Sequence, residues 1–214
     1  MRRTVIFDLD GTILDTLDDL TDAVNFALLS FGLSARQKQE ICSFVGNGVR
    51  KLVERAVGSV GHKDEEEIFQ TFKRRYAAHC AVKTKPYKGI EELLKGLKTR
   101  GIKTAVLSNK SDAEVKKLVH RYFPNLFNVV EGENESAGFP RKPNPKGLFT
   151  IMERLNASAE ETVYVGDSNV DIQTAENAGV ECISVTWGFK DKAFLLDSGA
   201  KKTVDTPKEI LNLV

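Results

Sequence analysis

Apolar residues change their spacing along this chain, and the changes divide it. A short apolar run, Val5-Ile6-Phe7, reads as a buried β-strand, and Gly11 just beyond it allows a sharp turn. Leu17, Leu20, Val24, Ala27, Leu28 and Phe31 then recur at helical spacing, with Gly32 as the stop. Three further helical stretches follow with no strand pattern between them. One covers 35–44. The next opens after Gly46-Asn47-Gly48, buries Val49, Leu52, Val53 and Ala56, and closes at Gly58. The third covers 63–80 and carries Ile68, Phe69, Phe72 and Tyr76 along one side. Four helices in succession predict a small helical bundle. The polar stretch 83–89, with Pro86 and Gly89, predicts a hinge or linker.

Beyond the linker helix and strand alternate. The pattern predicts a helix over 90–100 ended by Gly101, then a strand over 103–107 turned by Ser108-Asn109-Lys110. A helix over 112–122 and a short strand over 128–130 follow. A helix over 143–155 has Pro143 in its first turn, and a strand over 162–165 runs into Gly166-Asp167-Ser168. A helix over 171–178 stops at Gly179, and 182–185 is the last clear strand. Such alternation implies an α/β fold: a Rossmann-like parallel-sheet core covered on both faces. The helical bundle is then an all-helical insertion at 15–84, and residues 1–14 belong with 85–214.

Composition narrows the setting. A chain of 214 residues with 41% hydrophobic and 29% charged residues can bury a real core as a globular protein. A formal net charge of +1 offers nothing to a nucleic acid or an anionic membrane. Cys42, Cys80 and Cys182 are odd in number and widely spaced, which predicts reduced thiols in a cytoplasmic protein rather than disulfides or a zinc site. The first apolar run is too short for a signal peptide, and no stretch approaches a membrane span. His62, His79 and His120 have no partner spacing and are expected at the surface or in the helical insertion.

The candidate chemistry lies at the strand ends. If the chain stays extended to Asp10, the side chains of Asp8 and Asp10 share one space, and two such carboxylates need a cation or hydrogen bonds to compensate them. Later strand ends carry Ser108 and Asn109, then the Lys142 loop, then Asp167 and Asp171. Parallel strands bring their C-terminal ends to one edge, where open α/β sheets place ligands. Acidic oxygens without His or Cys suit a hard cation such as Mg²⁺, while a hydroxyl and an ammonium suit phosphate oxygens. Taken singly, Ser108 and Asp171 also fit helix N-caps, Lys142 a solvated charge and Gly166-Asp167-Ser168 an ordinary turn. Their co-occurrence at successive strand ends favours the functional reading.

These residues carry a resemblance. Asp8-Leu9-Asp10-Gly11-Thr12, Ser108-Asn109-Lys110, Lys142-Pro143 and Gly166-Asp167-Ser168 with Asp171 resemble the four motifs of the haloacid dehalogenase superfamily, in the family's order and across most of the chain. The insertion resembles the family's mobile cap. Val45-Gly46-Asn47-Gly48-Val49-Arg50, Ser108-Asn109-Lys110 and Thr186-Trp187-Gly188-Phe189 are most similar to the phosphoglycolate phosphatase group.

The resemblance implies that Asp8 is a nucleophile forming an aspartyl-phosphate and that Asp10 is the general acid and base. It implies Mg²⁺ held by Asp8, Asp167 and the main-chain carbonyl of Asp10, with Asp171 ligating or supporting. Ser108 and Lys142 would hold the transferring oxygens, Lys142 also biasing Asp8 towards its ionised form. Thr12 would support Asp10. Asn47, Gly48, Arg50 and Asn109 are candidate substrate contacts, set against the plainer reading that the glycines only join two helices and Arg50 is a surface charge. The presence of Asp10 argues against a dehalogenase, whose halide needs no proton. The expectation is Mg²⁺-dependent hydrolysis of a small phosphorylated metabolite, 2-phosphoglycolate or a similar anion, by a monomer or weak homodimer. A pyrophosphatase or a β-phosphoglucomutase-like phosphotransferase on the same fold is an alternative, as is a catalytically silent binding module.

Overall fold

The computed structural model describes residues 2–58, 63–137 and 139–214. His62 lies outside the described residues. Strand β1 (Thr4–Phe7) is wholly buried and forms the centre of the sheet. It pairs in parallel with β4 (Lys103–Ser111) on one side and β6 (Thr162–Gly166) on the other. β5 (Val129–Glu133), β7 (Glu181–Val185) and β8 (Thr203–Val204) complete a six-stranded parallel sheet in the order β5-β4-β1-β6-β7-β8.

Side chains alternate across this sheet, as a period of two requires. Val5, Phe7, Val106, Val163 and Val165 pack on one face with Leu93 and Leu97 of α5 (Ile90–Thr99) and Val115 and Leu118 of α6 (Asp112–Tyr122). Ile6, Ala105, Leu107 and Tyr164 face the other way, against Leu148 and Ile151 of α7 (Lys146–Leu155) and Ala175 of α8 (Asn169–Asn177). Phe7 registers with both Val106 and Val165, so Asp8 leaves the sheet beside Leu107-Ser108 and Gly166-Asp167.

Four helices follow Asp15 and precede Lys85: α1 (Leu17–Ser30), α2 (Lys38–Phe44), α3 (Val49–Val57) and α4 (Glu65–His79). They pack on one another through Leu20, Val24, Leu28, Ile41, Leu52, Val53, Ile68 and Phe72. The chain crosses into and out of them through β2 (Leu14–Asp15) and β3 (Lys85–Pro86), which pair antiparallel. The expected linker thus supplies one strand of a small two-stranded sheet.

Several boundaries differ from the sequence pattern. Ser108-Asn109-Lys110 stays within β4, with a register shift between Leu107 and Ser111, and Ser111 is the N-cap of α6. Helix α2 starts at Lys38, not at 35, and Pro143 precedes α7, whose N-cap is Pro145. Ser168 caps α8, with Asp171 completing its capping box. α9 (Lys192–Asp197), β8 and α10 (Pro207–Leu213) are too short to show a period in the sequence. His79 bonds the Arg75 carbonyl on α4 and His120 is exposed. Among the described residues no helix is long and apolar enough to cross a membrane.

Candidate active site

Asp8 continues the β1 ladder, its N–H donating to the Val165 carbonyl at 2.8 Å. The chain then turns tightly: the Leu9 carbonyl accepts from the N–H groups of Thr12, Ile13 and Leu14, and Gly11 takes a φ of +79°. Gly11 is required here on two counts, since a Cβ would also lie 2.2 Å from Asp167 Oδ2.

Around Asp8 the strand ends converge. Lys142 Nζ lies 2.9 Å from Asp8 Oδ1, 2.7 Å from Asp171 Oδ1 and 2.9 Å from the Tyr164 hydroxyl, which uses all three donors of the ammonium. Tyr164 also donates to Asp171 Oδ1 at 3.0 Å, and Ser168 donates to Asp171 Oδ2 through both its N–H and its hydroxyl. Both oxygens of Asp171 are therefore engaged, and it anchors Lys142. Asp167 Oδ2 accepts the Phe189 N–H at 2.6 Å.

One carboxylate oxygen each from Asp8, Asp167 and Asp171 lies within 4.8 Å of the other two, and all three residues are buried. Burial is the main force pushing the Asp8 pKa up to about 7; Lys142 opposes it, while Asp171 and Asp10 add to it. Burial, then Asp171 and Asp8, likewise raises Asp167 well above the ordinary carboxylate range. Burial works against the Lys142 ammonium, yet Asp171 and Asp8 outweigh it and hold that pKa above normal. A single ammonium thus faces three buried carboxyls. An all-oxygen set with surplus negative charge fits a hard divalent cation.

Asp10 stands on the same cavity with a different cation. Its Oδ1 accepts from Thr16 Oγ1 at 2.6 Å and lies 2.9 Å from Lys110 Nζ. The Lys110 ammonium donates onward to the Tyr76 hydroxyl of α4 at 2.8 Å. Burial would depress the Lys110 pKa, but Asp10 and Tyr76 more than offset it and the pKa is raised. Burial raises that of Tyr76.

The cavity is lined by Asp8, Asp10, Ser108, Asn109, Lys142 and Asp167 on the sheet side. The inserted helices and the loop before α9 add an apolar wall of Leu20, Val45, Val49, Leu52 and Phe189, with Gly46 and Gly48 between. It leaves about 40 Å³ of space for water and is partly open to solvent, room for about three waters. The wall closes through Asn109 Nδ2 on the Gly46 carbonyl (3.2 Å) and the Cys42 thiol on the Phe189 carbonyl (3.4 Å).

The expected substrate contacts divide. Gly48 and Asn109 line the cavity, although the Asn109 amide is engaged by the Gly46 and Lys142 carbonyls and by the Lys142 N–H. Arg50 does not line it: the guanidinium pairs with Glu66 at 2.9 Å and lies over the Phe69 ring, because position 50 falls on the outer face of α3. Asn47 turns away to accept from Arg55. Thr12 is fully buried with an unpartnered hydroxyl, and the support for Asp10 assigned to it comes from Thr16. Lys110, Tyr76, Tyr164 and the Phe189 amide carried no assigned role in the sequence. Lys110 sat inside a recognised motif, but its role shows only once β4 runs past Ser108.

Residues 5–185 match the family described as haloacid dehalogenase-like hydrolase. A phosphoglycolate phosphatase 1 from Pseudomonas aeruginosa is 31% identical over 99% of this chain and 79% of its own length. A phosphoglycolate phosphatase from Aquifex aeolicus is 32% identical over 87% of this chain and 86% of its own. A crystal structure from Lactobacillus delbrueckii subsp. bulgaricus, of a protein provisionally assigned as a phosphoglycolate phosphatase, superposes with a TM-score of 0.93. It is 37% identical and covers 100% of this chain and 98% of its own.

Proposed function

The chain belongs to the haloacid dehalogenase-like hydrolase family, and from that premise we propose that it is a Mg²⁺-dependent phosphatase of small phosphate monoesters, with 2-phosphoglycolate as its substrate. The observation that carries this reading is the buried carboxylate cluster of Asp8, Asp167 and Asp171 with Lys142 on Asp8 and Asp10 beside it. The names of the relatives support the choice of substrate.

In this reading Asp8 attacks phosphorus and carries the phosphoryl group as an aspartyl-phosphate, dividing one hard hydrolysis into two easier transfers. Asp10 gives its proton to the departing alkoxide, then takes one from the water that releases Asp8. Lys142 draws the nucleophile towards its ionised form against burial and the neighbouring carboxyls, and Ser108, buried at the cavity wall, donates its hydroxyl to a phosphate oxygen. Asp8, Asp167 and the main-chain carbonyl of Asp10 would hold the cation, Asp171 supporting through Lys142. When bound, Mg²⁺ supplies the positive charge that lets an anionic nucleophile approach an anionic ester.

Residues 15–84 act as a cap over a core of residues 1–14 and 85–214. The cavity between the inserted helices and the sheet edge is narrow, and both crossings lie in the β2–β3 pair, which supports a division that opens about that pair. Three free thiols support a reducing, cytoplasmic setting.

The test is orthophosphate release from 2-phosphoglycolate, other small esters and pyrophosphate, with and without Mg²⁺, alongside Asp8→Asn. We expect Mg²⁺-dependent turnover that the variant loses by at least about 10³-fold while keeping the native circular dichroism. Turnover retained by Asp8→Asn would remove Asp8 from its role, and pyrophosphate as the better substrate would change the substrate class.

A further inference from the structure

Asp10 is held through one oxygen only. Thr16 Oγ1 and Lys110 Nζ both reach Oδ1, at 2.6 and 2.9 Å, while Oδ2 takes no hydrogen bond among the described residues. Two donors on one oxygen fix the carboxyl's rotation and leave the second oxygen to the cavity that Asp10 lines. Both anchors answer to the inserted helices. Thr16 is the N-cap residue of α1, and Lys110 is gripped from α4 by Tyr76.

We propose that Lys110, held in place by Tyr76, is a positioning residue that turns Asp10 for proton transfer, so that the posture of α4 is felt at the acid–base group. The proposal rests on the reading of Asp10 as that group.

A lysine ammonium sits on a flexible four-carbon stem and has no preferred direction of its own. Here the Tyr76 hydroxyl takes one of its protons at 2.8 Å, and the ammonium lies 4.5 Å from the centre of the same ring. Tyr76 is fixed in turn by stacking on Phe72, with ring centres 5.6 Å apart and planes 9° from parallel. The Lys110 side chain is only 1% exposed, so no water shell competes for it. An ammonium so deeply buried is costly without such partners, and its position at the cavity wall has no packing rationale that a leucine would not meet better. The arrangement therefore converts a mobile cation into a fixed strut between α4 and Asp10.

The chemistry singles out what the strut controls. In the first transfer the bond from phosphorus to the ester oxygen breaks, a bond from Asp8 to phosphorus forms, and the Asp10 proton goes to the departing oxygen. An alkoxide needs that proton, whereas a nitrophenolate leaves without it. A residue that orients Asp10 matters for alkyl esters and hardly for nitrophenyl phosphate. A residue that only supports the fold, or that attracts phosphate, matters equally for both.

The experiment compares kcat/KM, which reports events through the first transfer, for 2-phosphoglycolate, glycerol phosphate and p-nitrophenyl phosphate with Mg²⁺. The enzymes are wild type, Lys110→Met and Tyr76→Phe, each checked by thermal melting. Tyr76→Phe keeps the ring and its stacking and guards against a Lys110 variant that fails to fold. For Lys110→Met we expect about a 100-fold loss on both alkyl esters, the size associated with a misplaced catalytic group, and a loss on the aryl ester of no more than about 5-fold. For Tyr76→Phe we expect the same split at about 5- to 10-fold on the alkyl esters, the worth of one hydrogen bond. Equal losses on all three substrates overturn the proposal, as does no loss in either variant. A rise in KM confined to 2-phosphoglycolate overturns it too, because Lys110 would then read the carboxylate. Wild-type inactivity on every ester overturns the phosphatase reading and this proposal with it, whereas an active wild type without the split overturns this proposal alone.

Discussion

Asp8 and Lys142 form a 2.9 Å ion pair with both partners buried, and the Asp8 carboxyl is nevertheless pushed up to about 7. Burial and the neighbouring carboxyls outweigh the single ammonium, so the pair is incomplete without further positive charge.

The pH dependence of stability follows from that imbalance. Asp8 ordinarily titrates near 3.8 and in the folded protein near 7, so the folded state holds the proton more tightly than the unfolded state. The resulting stability is fully present below about pH 3.8, declines between the two values and is lost as pH rises through 7. The raised pKa of Asp167 acts in the same direction. Metal-free protein should lose stability from Asp8 and Asp167 as pH rises to 8, and Mg²⁺ should raise Tm more at pH 8 than at pH 5. Thermal melts with EDTA and with Mg²⁺ at the two pH values measure this; an equal Mg²⁺ effect at both would contradict it.

Asp19 tests the hinge. This buried carboxylate on α1 accepts from the N–H groups of Val82, Lys83 and Thr84, at 2.8–3.1 Å, and so ties the outgoing crossing to the start of the helices. Asp19→Ala leaves those donors without their acceptor, a loss on the order of 3 kcal/mol. Urea unfolding should show it, and amide exchange at 82–84 should accelerate more than in β1. Unchanged exchange at those amides would mean that the crossing is held by the β2–β3 pair alone.

Arg50→Ala should leave KM for 2-phosphoglycolate within about two-fold of wild type, since the guanidinium points outward onto Glu66 and Phe69. Steady-state kinetics decide it. A KM rise of ten-fold or more would show that α3 rotates Arg50 into the site when substrate binds.

The contrast between Arg50 and Lys110 shows what the sequence could and could not carry. The strands and helices around the sheet were legible because apolar residues repeat at two or at 3.6 residues wherever an element buries a face. The acidic stations were legible because they follow strands whose C-terminal ends must share an edge. Arg50 follows directly on the Gly46-Asn47-Gly48 turn, but which side of α3 it takes is settled by the packing of Leu52 and Val53, which faces position 50 outward. Lys110 lies within a motif, but its role depends on β4 continuing from 107 to Ser111, which brings it to Asp10 rather than to solvent. Tyr76 was read as core, as its spacing demands, and the hydroxyl at its tip added a contact that hydrophobic periodicity does not report. The short elements after β7 left no period to read.

Gly188 is where backbone and cation site meet most closely. A Cβ there would lie 2.4 Å from the Gly11 carbonyl oxygen and 2.4 Å from Asp167 Cβ, and neither neighbour is the free end of a flexible chain. The next residue, Phe189, supplies the N–H that holds Asp167 Oδ2 at 2.6 Å. Gly188→Ala must therefore push the 186–189 loop away from the turn after β1, stretching that hydrogen bond and turning Asp167. Overpacking of this kind costs about 1–3 kcal/mol, and loss of a group that orients a metal ligand typically weakens binding by about 10- to 100-fold. The expected outcome is a lower Tm together with weaker Mg²⁺ binding in titration calorimetry, while a remote glycine with open space around it, Gly199→Ala, leaves Mg²⁺ binding unchanged. A Gly188→Ala protein that is destabilised but binds Mg²⁺ as wild type does would place Asp167 outside the cation site.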